Sequence, residues 1–140
     1  MKIAIGLLCV LLLAVIAGFH FYWGLGGKRG IDVALPQHEN GQPILAFSPL
    51  GSIAVGLFGL VVMLLIAART DMITVPLTLL QLRAAMLLLA GVFLARALSW
   101  HRCFGFFKRV HGTRFARYDT WLLSPGSLTV ALGLFYLGAV

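Results

Sequence analysis

The sequence predicts an all-α, polytopic membrane protein with four transmembrane helices and a short interfacial helix in the third connection. Three observations predict it. The 140 residues are 61% hydrophobic and only 11% charged, against roughly a quarter charged in an average soluble domain. The chain therefore lacks the polar surface to face water. Four apolar runs, residues 3–23, 47–68, 77–98 and 121–140, approach or exceed the length of about 20 residues that a helix needs to cross a hydrocarbon core of about 30 Å. Backbone amides in lipid find no water, and a helix satisfies them within one segment. The mean hydropathy of +1.00 leaves no stretch for a separate soluble domain, so residues 1–140 read as one transmembrane domain.

The first run opens with "MK" and an apolar core, as a secretion signal does. It continues into Phe19, His20, Phe21, Tyr22 and Trp23 without an A-x-A cleavage site, and no lipobox surrounds Cys9. It is expected to be a retained helix. The second run opens at Ser48-Pro49 and the fourth contains Ser124-Pro125. Serine caps free amides and proline suits a first helical turn, so both pairs read as helix starts. Arg83 and Arg96 flank the third run. Thirteen residues put them about 20 Å apart along a helix, so each can snorkel to its own interface, with Asp71 a partner for Arg83. In the third connection, "RCFGFFKRV" (residues 102–110) sorts its aromatics from its cations on a helical projection. That is the pattern of a helix lying among headgroups, with Phe104 and Phe107 toward the membrane or bundle, Lys108 and Arg109 toward water, and Gly112 as its stop.

Four crossings put connections 24–46 and 99–120 on one face, the loop face. It holds His20, His38, His101 and His111, all three tryptophans, and Asp32, Glu39 and Asp119. It also holds Lys28, Arg29, Arg96, Arg102, Lys108, Arg109, Arg114 and Arg117, eight of the eleven basic residues. Only Lys2, Arg69 and Arg83 lie toward the terminal face. The positive-inside rule makes the loop face cytoplasmic. That rule, with attraction to anionic membrane lipids, accounts for the +7 net charge without a nucleic-acid partner. Cys9 and Cys103 fall at different depths, so no disulfide is expected, and their spacing matches no metal site. The sequence assigns no cofactor.

The polar and aromatic residues that share the loop face form the expected ligand site: His20, Tyr22, Trp23, Gly26, Gly27, Arg96, Arg114, Arg117, Asp119 and Thr120. Convergent groups of this kind at the mouth of a helix bundle suit a ligand. The arginines would hold an anionic lipid headgroup or amphipathic ligand, and Trp23 and Tyr22 would pack its apolar part. Gly26 and Gly27 allow a tight turn or close approach. Asp119 and Thr120 read as a cap before the fourth helix, with Asp119 paired to Arg114, Arg117 or Arg96 and His20 nearby. Two other classes remain open. One is a membrane enzyme with His20 and Asp119 as acid and base, although no nucleophile elbow, paired carboxylates or phosphate loop accompanies them. The other is an accessory or structural subunit, as a homo-oligomer or with a membrane-protein partner. Gly51, Gly56, Gly59, Gly126, Gly133 and Gly138 would permit close helix contacts there.

Two stretches carry a family resemblance. "HFYWGLGGKRG" (residues 20–30), followed by Pro36, fits a His-x-Tyr-Trp-x-x-Gly-Gly pattern. "GFFKRVHGTRFARYDTWLLSPGSL" (residues 105–128) carries Phe-Ala-Arg-x-Asp-Thr ahead of a Ser-Pro pair. In this order they resemble the small bacterial membrane proteins classed as domain of unknown function 3995. The departure is after the proline, where Gly126-Ser127-Leu128 replaces the family's usual Leu-Cys-Leu. The resemblance implies four transmembrane helices, in a bacterial inner membrane, and supplies no activity, substrate or catalytic residue.

Overall fold

A computed structural model describes residues 1–99 and 102–140. The expected loop-face positions of Trp100 and His101 lie outside the described residues. The described chain is helical throughout its long segments: α1 (Lys2–Gly24), the single turn α2 (Ile31–Ala34), α3 (Pro49–Arg69), α4 (Leu79–Ala97), α5 (Arg114–Tyr118), a π-helical turn (Asp119–Leu123) and α6 (Ser124–Ala139). Among the described residues, four segments are long and apolar enough to cross a membrane: α1, α3, α4 and the continuous run Arg114–Ala139. The chain is thus a multi-pass membrane protein.

The helix starts follow local chemistry. Ser48 Oγ accepts from the Gly51 amide at 3.1 Å, with Pro49 in the first turn of α3, as its Ser-Pro pair predicts. Thr78 and Gln81 form a reciprocal capping box ahead of α4, which satisfies two otherwise orphaned amides. The fourth span departs from expectation. Its cap is Thr113, whose hydroxyl accepts from the Ala116 amide at 3.1 Å, so the helix begins well before residue 121. Asp119 and Thr120 are not caps but lie inside it. Ser124-Pro125 is also internal and no side chain caps there. Proline lacks an N–H and crowds the preceding turn. The widened π turn just before it, with the Ser124 amide bonded to the Asp119 carbonyl, carries the helix past that obstacle.

Packing is in two tight pairs, α1 on α3 and α4 on α6, joined mainly by α1 against α6. Between them lies a core of Cys9, Leu13, Val62, Ile66, Met86, Ala90, Val130, Leu134 and Leu137. Lipid tails are as apolar as these side chains, so close van der Waals approach holds such helices together. Gly56 receives the Phe21 ring and Gly59 the Ala17 methyl, while Gly133 and Gly138 lie hard against Cys9 and Leu87. Gly51 and Gly126 do not serve this purpose: Gly51 meets only its own cap Ser48, and nothing stands near Gly126. On the terminal face Asp71 pairs with Lys2 at 2.8 Å rather than with Arg83, which donates to the Val140 carbonyl instead.

The expected interfacial helix over residues 102–110 is absent; these residues form an irregular loop. Gly105 has φ +89°, which a right-handed helix excludes. The loop is held by the Phe106 amide on the Ala97 carbonyl at 2.8 Å, and by the Arg109 and Val110 amides on the Arg102 carbonyl, each at 2.9 Å. Phe107 and Arg109 are exposed, whereas Lys108 is buried. The projection assumed that every cation seeks water, and a buried carboxylate overrides that assumption here.

Candidate functional site

Asp119 sits on the inward face of the fourth span with no exposed surface. Its Oδ1 accepts from Arg96 Nη2 at 2.7 Å, and its Oδ2 accepts from Lys108 Nζ at 3.0 Å and from the Gly105 amide at 2.8 Å. Lys108 spends its other two protons on the Thr120 hydroxyl (2.7 Å) and the Gly105 carbonyl (3.2 Å). All three donors of the ammonium are thereby satisfied, which makes its burial tolerable. Thr120 passes its own proton to the Ala116 carbonyl at 3.0 Å. Arg96 lies 5.2 Å over the Phe104 ring. The node ties α4, the loop of residues 102–113 and the fourth span together, and every oxygen of its carboxylate is engaged.

A second group is built at the exit of α1. The Gly26 amide donates to the Trp23 carbonyl at 3.0 Å and the Gly27 amide to the Tyr22 carbonyl at 2.8 Å. Gly26 has φ +98°, a region that favours glycine. The Tyr22 ring lies directly on Gly27, where any Cβ would overlap it. Trp23 Nε1 donates to the Arg29 carbonyl at 2.8 Å. The result is a folded turn that fixes the backbone of Lys28 and Arg29 while leaving both side chains at the surface.

Two concavities flank this turn. One is a groove of about 450 Å³ on the outer face of α1, lined by Ala14, Val15, Gly18, Phe19, Tyr22 and Arg29. The other, a cleft of about 750 Å³, borders Trp23, Gly26, Gly27, Lys28, Asp32 and Gln37. Gln37 clamps the cleft-lining loop in place: its Nε2 donates to the Asp32 carbonyl at 2.9 Å and its Oε1 accepts from the Phe115 amide at 3.3 Å. Arg114 reinforces the clamp with an exposed ion pair to Asp32.

The ten expected site residues thus divide. Arg96, Asp119 and Thr120 meet in the buried node. Tyr22, Trp23, Gly26 and Gly27 form the turn. Arg114 is neutralised by Asp32 rather than by Asp119, and Arg117 is exposed with no ion pair among the described residues. His20 does not join the node: its Nδ1–H donates to the Ile16 carbonyl at 2.9 Å, its ring meets the Trp23 edge at 5.2 Å, and its carbonyl accepts from Ser52 Oγ at 2.9 Å. His20 and Asp119 share no hydrogen bond among the described residues. Sequence reasoning missed Lys108, Gly105, Arg29 and Gln37. For Arg29 a signal existed, since it closes the "GGKR" turn beside two aromatics.

A protein-family model described as "Protein of unknown function (DUF3995)" matches residues 13–134. No curated protein and no solved structure matches the chain.

Proposed function

With the chain a member of the DUF3995 family, a description that assigns no activity, we propose from its own geometry that it binds a phosphate-bearing membrane lipid at the loop face. The observation that carries this reading is the groove on α1 and what stands at its end. Ala14 to Tyr22 spans about 12 Å of helix, close to the depth of one leaflet of a core of about 30 Å. Small residues hollow the groove, and nothing lies within 4 Å of a Cβ built at Gly18. At headgroup level it ends at Tyr22 and at Arg29, whose guanidinium bonds to nothing among the described residues. An acyl chain suits the groove, and arginine donors match a phosphate. Arg29 replaces Arg96 and Arg114 in this reading because both of those are already paired. Lys28 in the adjoining cleft adds to the positive field.

The test is lipid retention by the purified full chain, read by native mass spectrometry. Arg29→Gln should weaken retention of anionic phospholipid roughly fivefold, since a basic residue near the surface contributes about 1 kcal/mol. Gly18→Leu fills the groove from an open position and should reduce retention without lowering stability. Retention unchanged in both variants would sink the proposal.

The loop face is proposed to be cytoplasmic, on the strength of its eight basic residues. An impermeant thiol reagent applied to intact cells should then leave His111→Cys unlabelled. Strong labelling from outside would reverse the orientation.

A further inference from the structure

The geometry points to a second phosphate-binding site, on the terminal face, centred on Arg69. Arg69 ends α3 and is only 3% exposed. Its position continues the inward face of Val62 and Ile66, seven and three residues earlier, so it closes the terminal mouth of the bundle. Its guanidinium makes no hydrogen bond to any described residue, and its Nε is buried without a partner. A guanidinium carries five donors and stays charged, and buried charges are ordinarily paired.

No acidic side chain is left to pair it, and the Val140 terminus is engaged by Arg83. There are four acidic residues. Asp119 serves Arg96 and Lys108, Asp32 serves Arg114, and Asp71 serves Lys2. Glu39 belongs to the connection on the opposite face. Lys2 chiefly, and Arg69 through space, hold the Asp71 carboxyl below the usual carboxylate range, but that carboxylate is 84% exposed and turned to Lys2. The counter-charge of Arg69 therefore comes from outside the chain. At the last residue of a 21-residue span the group at that depth is a headgroup phosphate, whose oxygens match the planar fork of arginine. A free phosphate offers the same chemistry. Arg83, at the start of the neighbouring span, adds positive charge on this face.

The experiment uses the full chain in maltoside micelles, in an Arg29→Gln background so that the loop-face groove does not contribute. Melting temperature is followed with inorganic phosphate against sodium chloride at equal ionic strength. It is followed separately with phosphatidylglycerol against diacylglycerol of the same chains. A rise with phosphatidylglycerol alone supports a lipid site, and a rise with inorganic phosphate as well supports one open to free anion. Either rise should vanish in Arg69→Gln. Should that variant not fold, Arg69→Lys, which keeps the charge but not the fork, should show a smaller rise. No rise with either probe, or a full rise in either variant, overturns the assignment and leaves a water-solvated arginine.

Discussion

Asp119→Asn is expected to destabilise the detergent-solubilised protein by about 3–5 kcal/mol, the cost of breaking a buried ion pair from one side. The substitution leaves Lys108, whose side chain is 1% exposed, with its ammonium still inside the protein. Arg96 retains 32% exposure and can turn to water, so most of the loss belongs to Lys108. An asparagine oxygen can still accept from the Gly105 amide, which preserves the loop contact and isolates the charge. Asp32→Asn is the control. Its pair with Arg114 is 50% and 72% exposed, and pairs of that kind contribute about 0–1 kcal/mol. Thermal melting should fall by roughly 10 °C for Asp119→Asn and little for Asp32→Asn. Adding Lys108→Met to Asp119→Asn should recover part of the loss, because a buried ion replaced by an apolar chain no longer needs a counter-charge. Equal, small shifts for Asp119→Asn and Asp32→Asn would mean that the node is solvated.

Gly105→Ala should be comparably damaging, at about 2–6 kcal/mol, for two additive reasons. The residue has φ +89°, a conformation that costs a non-glycine residue about 1–3 kcal/mol. A Cβ there would stand 2.6 Å from the Ser99 carbonyl oxygen and 2.8 Å from the Ser99 nitrogen. Those are backbone atoms that cannot rotate away, and overpacking adds about 1–3 kcal/mol. Gly126→Ala, in a helix with nothing within 4 Å, should instead be neutral or stabilising by up to about 1 kcal/mol. Since Gly105 donates to Asp119, its substitution should combine with Asp119→Asn in a less than additive way. Full additivity would show that the loop and the carboxylate are independent.

The four spans were legible in the sequence because hydrophobicity and internal hydrogen bonding are properties of each segment alone. Their bounds agree with α1, α3 and α4 to within two residues. The turn after α1 was equally legible, since Tyr22, Trp23, Gly26 and Gly27 are neighbours in the chain and their bonds are local. That Asp119 meets a loop-face arginine followed from depth, because the end of one span and the start of another share a face, but the choice of Arg96 over Arg114 and Arg117 did not.

Tertiary structure decided the rest. The fourth span starts at Thr113 in polar sequence, where hydropathy has no edge to detect. Lys108 looked like a water-facing cation, and it is buried because Asp119, Thr120 and the Gly105 carbonyl supply all its acceptors. The groove on α1 arises from Ala14 and Gly18, small residues without a signal until their neighbours leave the space open. Arg69 resembled Arg83 as a basic residue at a helix end, yet packing buried one and left the other bonded to the Val140 carbonyl. Segment composition reports whether a stretch prefers lipid. Which cation reaches a given buried carboxylate is set by the meeting of elements far apart in the chain, and no local pattern encodes it.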